Sequence, residues 1–279
     1  MPAVSVIIPT RNRLNSLRKA VKSVLEQTFQ DFEILIIDDG STDETFERMC
    51  KRRYPVRYYY QPHFGVSAAR NRGIGLAKGG YIAMLDSDDT WMPEKLDKQV
   101  RFLNDNPDVL ICQTEEIWIR NGTQVNPGKR HEKPSGAIFD KSLDLCVVSP
   151  SSVMMRTQFF DEVGLFDEKL PACEDYDLWL RAAYRIEIPL IREYLTVKYG
   201  GHDDQLSRRH WGMDRFRVYS LQKLLAHPLR DDQRRKVIDE IRKKCAVLLN
   251  GAVKRARYYY AFKVIMTRLL PSFKWGILK

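Results

Sequence analysis

Three carboxylates fall within four residues at Asp86-Ser87-Asp88-Asp89, directly after an apolar segment. Carboxylates this close repel one another strongly in a low-dielectric environment unless a cation lies among them. Their hard oxygen ligands suit Mg²⁺ or Mn²⁺, which commonly bridge a protein carboxylate to substrate phosphates. A solvated turn, or a helix N-cap supplied by Asp89 or Thr90, would explain the same residues. The cluster therefore predicts either a divalent metal site or a capped turn.

A second acidic turn, Asp38-Asp39-Gly40-Ser41-Thr42-Asp43, follows another apolar segment. One carboxylate in this turn could accept a hydrogen bond from the imide N–H of a nucleobase, a pairing that would favour uracil. Ordinary turn chemistry and a cap for the next helix explain the same residues. Both interpretations stay open at this point.

A third acidic segment, Glu174-Asp175-Tyr176-Asp177, opens the helical pattern that continues through Leu178-Trp179-Leu180. Acidic residues in a first helical turn are favoured by the helix dipole. A carboxylate at this position could also act as a general base, because an attacking hydroxyl must lose its proton. The segment is therefore either a helix start or a catalytic base.

The elements that must position these turns alternate between strand and helix over the first 100 residues. Short β-branched or apolar runs predict strands at residues 4–8, 32–37, 56–60 and 81–85. Apolar residues at helical spacing predict helices at residues 14–27, 42–51 and 67–78. Within the last helix, Gly73 and Gly75 are expected to permit close packing. Repeated β-α-β units predict an α/β fold whose parallel sheet carries helices on both faces.

Ligands of such sheets bind beyond the carboxyl ends of the strands. Polar segments stand at three of those ends, at residues 9–11, 38–41 and 86–89. We therefore expect these segments to converge on one site.

The pattern along the whole chain predicts a domain of residues 1–205, followed by a mainly helical, basic extension of residues 206–279. Further patterns predict a helix from Pro93 to Asn106, a loop at 121–136, a strand at 147–155 and a helix from Asp177. The extension has two apolar stripes, Val237, Ile238, Ile241, Cys245, Leu248, Leu249 and Phe262, Ile265, Met266, Leu269, Leu270. Residues 211–217 either close an acceptor site or simply start a helix on the core.

Charge is distributed unevenly along the chain. Residues 205–279 contain 19 Lys/Arg and 5 Asp/Glu, a net charge of +14, so the whole-chain value of +10 leaves −4 for residues 1–204. Such asymmetry favours an anionic partner for the basic extension. An anionic membrane surface fits its mixture of apolar and basic residues, whereas no nucleic-acid-reading motif is present. The alternative is that the stripes pack on the first domain and the charges are solvated.

Composition also limits location and redox chemistry. The five cysteines form no CxxC pair, so neither a zinc knuckle nor a disulfide scaffold is predicted. We therefore expect reduced thiols and a cytoplasmic location. The sequence also shows no signal peptide pattern and no run of 18 apolar residues, which favours the same location. If the protein binds a membrane, we expect it to do so peripherally, at the inner face of the cell membrane.

Five segments in order resemble the family-2 inverting glycosyltransferases of the GT-A fold. They are Val4 to Asn12, Asp38 to Asp43, Ala69-Arg70-Asn71 with Gly73, Tyr81 to Asp89, and Glu174 to Arg181. The resemblance covers roughly residues 3–205. It implies a Rossmann-like, mostly parallel sheet flanked by helices, a nucleotide-sugar donor that is UDP-linked, and a Mn²⁺ or Mg²⁺ cofactor.

The resemblance also implies roles for particular residues. It assigns Asp39 to uracil and Asp88 to the metal, with Asp175 as the general base beside Glu174. Nucleotide-sugar-binding roles fall on Pro9, Thr10, Arg11, Asp39, Arg70, Asn71, Asp86 and Ser87. His202 corresponds to an additional metal or phosphate contact in some relatives, or to a solvated loop histidine. The implied acceptor is a glycan or lipid-linked hydroxyl in bacterial surface polysaccharide assembly.

Two other functions compete with this interpretation. A sugar nucleotidyltransferase usually needs a glycine-rich loop after the first strand, and residues 9–13 contain no glycine. A non-catalytic relative that binds sugar or nucleotide would be expected to lose Asp88 or Asp175, and both are present.

Overall fold

The computed structural model describes residues 1–51, 54–126, 128, 131–201 and 210–272. Its strands are β1 (Val4–Thr10), β2 (Phe32–Asp39), β3 (Arg57–Gln61), β4 (Tyr81–Met84), β5 (Thr90–Trp91), β6 (Ile111–Arg120), β7 (Thr123–Val125), β8 (Val153–Arg156) and β9 (Leu190–Gly200). Its helices are α1 (Leu14–Leu25), α2 (Thr45–Lys51), α3 (Val66–Leu76), α4 (Lys95–Asp105), α5 (Phe139–Asp144), α6 (Gln158–Val163), α7 (Glu174–Ala183), α8 (Asp214–Leu224), α9 (Asp231–Lys254) and α10 (Tyr258–Leu269).

One half of the sheet is parallel, as the sequence predicts. Strand β1 pairs in parallel with β2 and β4, and β2 pairs in parallel with β3. Alternate residues of β1 enter different cores: Ile7 contacts the core on one face, and Val6 and Ile8 contact the core on the other. Burial on both faces explains why β1 and β2 are almost continuous apolar runs. The acidic turns follow β2 and β4 at the same edge of the sheet.

The other half of the sheet is mixed. The sheet order is β3-β2-β1-β4-β8-β6-β9-β5, with β7 added to β6. Strand β8 is antiparallel to β4 and β6, while β9 is parallel to β6 and antiparallel to β5. The strand predicted at 147–155 is confined to Val153–Arg156, because Pro150–Ser152 forms a 3₁₀ turn. Part of the predicted loop at 121–136 is the strand β7.

One of the two glycines of α3 permits close approach of the helix to β1. A Cβ atom on Gly73 would lie 2.4 Å from Cγ2 of Ile7, whereas a Cβ on Gly75 would meet nothing within 4 Å. The packing role is therefore confirmed for Gly73 alone, and this contact fixes the helix that carries Arg70 against the sheet.

The first apolar stripe of the extension is part of the protein core. Val237, Ile241 and Cys245 of α9 are fully buried in the cluster that contains Trp179 of α7. The second stripe behaves differently, because Ile265 and Leu269 of α10 and the following Leu270 are exposed, and other residues of that helix are buried instead. The predicted domain boundary at 205/206 lies outside the described residues. Within the described ranges, none of the helices combines the length and apolarity needed to cross a bilayer.

Candidate active site

A cleft of about 810 Å³ opens at the carboxyl ends of β1, β2 and β4. Its other walls come from the start of α7, the end of β9 and the start of α8. The cleft brings together most of the residues selected from the sequence: Pro9, Thr10, Arg11, Asp39, Arg70, Asp86, Ser87, Asp88, Glu174 and Asp175. Predicted His202 lies outside the described residues, so the structure does not place it.

Asp39 lines the cleft and is almost fully buried. Its Oδ1 accepts hydrogen bonds from Nε2 of Gln61 and the backbone N–H of Phe64, both at 2.9 Å. Its Oδ2 is 2.6 Å from Nδ1 of His63 and accepts from the backbone N–H of Gly65 at 2.9 Å. The carboxylate is therefore held in one orientation by groups from β3 and the turn that leads into α3.

Thr10 and Arg11, at the carboxyl end of β1, also line the cleft. Nitrogen NH1 of Arg11 lies 2.8 Å from Nε2 of His63. The hydroxyl of Thr10 is buried and has no hydrogen-bond partner among the described residues. A buried hydroxyl without a partner is uncommon in a native structure and is consistent with a polar ligand binding here.

Arg70 of α3 links two of the acidic segments. Its NH2 donates to Oδ1 of Asp86 at 2.7 Å, and its NH1 donates to Oε1 of Glu174 at 2.6 Å. Burial disfavours the charged guanidinium, yet the carboxylates of Asp86 and Glu174 raise the pKa of Arg70 above its ordinary value. Arg70 in turn lowers the pKa of Asp86 against the effect of burial. The planar guanidinium thus joins the turn after β4 to the first turn of α7.

Asp88 lines the cleft beside Asp86 and has its pKa raised above the ordinary value. Burial raises its pKa, Arg13 opposes that rise, and the nearby Asp86 adds to it. Oδ2 of Asp88 accepts from NH1 of Arg13 at 2.7 Å. Buried carboxylates with excess negative charge favour a cation among them.

The carboxylates of the cleft could hold Mg²⁺ or Mn²⁺ only if the substrate supplies further ligands. In the described part of the chain, no three His, Cys, Asp or Glu side chains are grouped so that they could hold an ion by themselves. Mg²⁺ in phosphate-processing sites is usually bound by one or two carboxylates together with phosphate oxygens and waters. Asp88 is therefore suited to hold the ion jointly with a diphosphate.

The suggestion that Asp89 or Thr90 caps a helix is wrong. Strand β5 begins at Thr90, and α4 starts only at Lys95, with Glu94 at its N-cap. Oδ2 of Asp89 accepts from the Ser151 hydroxyl at 2.6 Å, and Oδ1 accepts from the backbone N–H of Tyr199 at 3.2 Å. Burial raises the pKa of Asp89 well above its ordinary value. The side chain therefore ties the acidic turn to β9.

Asp175 lies in the first turn of α7 and lines the same cleft as Asp39. Helix α7 starts after Cys173, which adopts a left-handed conformation with φ 61°. Oδ1 of Asp175 accepts from the backbone N–H of Tyr176 at 2.7 Å, which fixes the carboxylate at the helix start. Asp175 is partly exposed in the cleft, whereas Glu174 is buried against Arg70.

The start of the extension contributes directly to the same cleft. Met213 and Arg217 line it together with Cys146 and Cys173. The interpretation of residues 211–217 as a helix start on the core is confirmed, because α8 begins at Asp214 and Phe216 is buried in the core, while the acceptor role stays a prediction. NH1 of Arg217 is paired with Oδ1 of Asp214 at 2.8 Å.

Asn71 does not line the cleft, although the sequence analysis placed it near the nucleotide. Its Nδ2 donates to the backbone oxygen of Phe166 at 3.0 Å and to Oε1 of Glu168 at 2.8 Å. Its Oδ1 accepts from the backbone N–H of Phe166 at 2.9 Å. Adjacent residues of a helix point about 100° apart. Arg70 therefore faces the cleft, while Asn71 bonds the segment that contains Phe166 and Glu168.

Sequence reasoning missed Lys198, a cation that lines the cleft. Burial disfavours its charge, but the carboxylates of Glu116, Asp89 and Asp86 raise its pKa. Lys198 belongs to β9, a strand that the sequence patterns did not predict. Sequence reasoning also missed His63, whose position in the turn before α3 brings it to Asp39.

Comparison with known proteins identifies relatives of the chain. The sequence profile described as glycosyl transferase family 2 matches residues 5–164. A glycosyltransferase of Rickettsia conorii is 37% identical over 207 residues, which are 74% of this chain and 32% of the relative. A putative teichuronic acid biosynthesis glycosyltransferase of Bacillus subtilis, TuaG, is 32% identical over 185 residues, 64% of this chain and 71% of the relative. The chain spans about a third of the length of three Rickettsia relatives.

A solved structure shows the same fold. TarS of S. aureus, residues 1–349, superimposes with a TM-score of 0.71 at 16% identity, covering 95% of this chain and 80% of that chain. The complex of the same protein with UDP-GlcNAc gives a TM-score of 0.66 at 15% identity, covering 97% and 92%. The predicted α/β GT-A fold with a helical C-terminal extension is therefore confirmed.

Proposed function

The chain belongs to glycosyl transferase family 2, and we propose that it transfers a sugar from a UDP-linked donor to a hydroxyl of a glycan or lipid-linked acceptor, with inversion. The observation that carries the proposal is that Asp39, Asp88 and Asp175 line one cleft. The UDP-GlcNAc complex of TarS supports a nucleotide-sugar donor. The name of TuaG supports a role in cell-surface polysaccharide synthesis.

The donor is expected to lie along the cleft from Asp39 to Asp88. The buried carboxylate of Asp39 would accept from the imide N–H of uracil. Pro9, Thr10 and Arg11 would enclose the base, and the unpartnered Thr10 hydroxyl provides a polar contact. Lys198 offers positive charge to the diphosphate. A divalent cation held by Asp88 would stabilise the charge of the departing diphosphate.

The acceptor is expected beside Asp175, Met213 and Arg217. Asp175 would take the proton of the attacking hydroxyl as it forms the new bond. We assign this role to Asp175 because Glu174 is buried and bonded to Arg70, which leaves it to position the first turn of α7. A single displacement at the anomeric carbon inverts its configuration.

Thermal unfolding with nucleotides and metal tests the donor and the cation together. UDP with Mn²⁺ or Mg²⁺ should raise the Tm of the wild-type protein more than UDP alone, because ligands that bind only the folded state stabilise it. Asp88→Asn should remove the metal-dependent part of the shift, and turnover of the matching UDP-sugar should fall nearly to background. The exposed Asp105→Asn serves as a matched control and should behave as wild type. Full metal-dependent activity in Asp88→Asn would overturn the role of Asp88.

We further propose that the exposed face of α10 docks the enzyme on an anionic membrane, at the inner face of the cell membrane. Tyr258, Ile265 and Leu269 recur at spacings that place them on one side of the helix and are 71%, 40% and 66% exposed. Arg255 and Arg268 are exposed nearby. Apolar side chains next to basic ones are typical of interfacial helices. A lipid-linked acceptor would then be presented at the same surface.

Vesicle co-sedimentation tests this docking. Wild type should bind anionic vesicles at low salt and release them as salt rises. Arg255→Glu with Arg268→Glu should weaken binding at least about tenfold, since each basic residue near an anionic surface contributes about 1 kcal/mol. Arg242→Glu, which changes an exposed charge of α9, is the control. Absence of binding to anionic vesicles at low salt would remove the membrane from the proposal.

A further inference from the structure

All hydrogen-bond acceptor positions of the Asp39 carboxylate are occupied by protein groups. A carboxylate has about four lone-pair sites for hydrogen bonds. Asp39 directs all four to protein groups: Gln61 and the backbone N–H of Phe64 on Oδ1, and His63 and the backbone N–H of Gly65 on Oδ2. An additional donor on a ligand can therefore bind Asp39 well only if one of these partners leaves.

His63 is the partner that can leave at low cost. The donors of Phe64 and Gly65 are backbone groups in the turn before α3, so releasing them would require that turn to move. Gln61 is a strand residue of β3 and only 5% exposed. The side chain of His63 is 50% exposed, and rotation about its own torsions moves the ring into solvent.

His63 also restrains a second residue of the cleft. Since Nδ1 faces the Asp39 carboxylate, it carries the hydrogen, and Nε2 is then the acceptor for NH1 of Arg11. One imidazole ring thus bridges Asp39 and Arg11. Release of the ring frees both of these groups at the same time.

We propose that His63 occupies the nucleobase position of Asp39 in the unliganded enzyme and is displaced by a base that carries a ring N–H. The inference rests on the proposed UDP-sugar donor. Uracil can replace His63, since its imide N–H donates as the Nδ1–H does. Cytosine presents an acceptor at the corresponding ring nitrogen and cannot, so the Asp39 carboxylate selects the base while His63 closes the site.

Calorimetric titration of His63→Ala tests the displacement. Affinity for UDP should rise about tenfold, because the bond between Asp39 and His63 no longer has to be broken, and such a bond contributes on the order of 1.4 kcal/mol. Affinity for pyrophosphate and CDP should stay within about twofold of wild type. His63→Gln, whose side-chain amide can still donate to Asp39, should give a smaller gain. In wild-type protein the ring ¹⁵N resonances of His63 should shift on addition of UDP but not of pyrophosphate.

The outcomes separate this inference from the proposed function. Unchanged or weaker UDP binding by His63→Ala would overturn the displacement, as would ¹⁵N resonances that do not respond to UDP. If wild type does not bind UDP, or if Asp39→Asn binds it equally well, the proposed donor site itself fails. Circular dichroism of His63→Ala should match wild type, because the replaced ring is half-exposed, while Tm of the unliganded variant should fall by about a few degrees because the bond to Asp39 is lost.

Discussion

Replacing Asp175 with asparagine should lower kcat by about 100- to 10,000-fold, the range that a positioned general base contributes. Asparagine has the same shape and can still accept from the backbone N–H of Tyr176, so α7 should start as it does now. It cannot take a proton from the acceptor hydroxyl. The loss should therefore fall on kcat, while KM for the UDP-sugar stays near its wild-type value.

The comparison with Glu174→Gln makes this test specific. Glu174 neighbours Asp175 in the chain but is bonded to Arg70. We expect Glu174→Gln to reduce stability and to retain turnover well above that of Asp175→Asn, measured as release of UDP. Retention of more than about a tenth of wild-type kcat by Asp175→Asn would assign the base elsewhere, because a base contributes at least about 100-fold.

Most of the parallel half of the sheet could be predicted because β1 and most of β2 are buried on both faces. Residues 4–8 and 32–37 are apolar except for Ser5 and Glu33 and are followed by Pro9 and by Asp38, and burial on two faces produces that pattern. The carboxyl ends of such strands meet at one edge. The convergence of the turns after β1, β2 and β4 therefore followed from local patterns alone.

The mixed half could not be predicted in the same way. Strand β6 changes register against β9 between Thr114 and Glu116, so neither strand shows a clean alternation of apolar and polar residues. The two-residue strand β5 exists only because it pairs with Thr196 and Val197, more than 100 residues away. That pairing removes Asp89 from a helix start and brings it to the backbone of Tyr199.

Local sequence patterns also point to some residues of the cleft, whereas others can be recognised only from contacts between distant parts of the chain. Asp39 and Asp175 are marked by their neighbours in the chain. Lys198 and His63 acquire their importance from residues far away in sequence, namely Asp89 for Lys198 and Asp39 for His63. Asn71 follows Arg70 in the chain, but its side chain bonds Phe166 and Glu168 and does not line the cleft, because adjacent residues of a helix face different directions.

Replacing Arg70 with methionine should lower the free energy of unfolding by about 3–5 kcal/mol, the usual cost of removing one partner of a buried ion pair. Arg70 is 3% exposed and bonds both Asp86 and Glu174. Methionine fills similar space but leaves both carboxylates buried without their cation. Urea unfolding of both proteins measures the difference.

Arg72→Met is the matched control for this loss. Arg72 lies on the same helix and donates to the backbone oxygen of Tyr60 at 2.7 Å, but it is exposed. Its removal should cost no more than about 1 kcal/mol. Equal losses in Arg70→Met and Arg72→Met would show that the ion pairs of Arg70 do not stabilise the site.

Two further variants separate the charge of Arg70 from its shape. Glu174→Gln in the Arg70→Met background should recover part of the lost stability, because a neutral amide does not need the cation.

Arg70→Lys keeps the charge but offers a point ammonium in place of the planar guanidinium that reaches Asp86 and Glu174 together. It should therefore unfold between wild type and Arg70→Met. Because Arg70 holds the Asp86 turn against the start of α7, kcat of Arg70→Lys should fall more than the modest loss of stability accounts for.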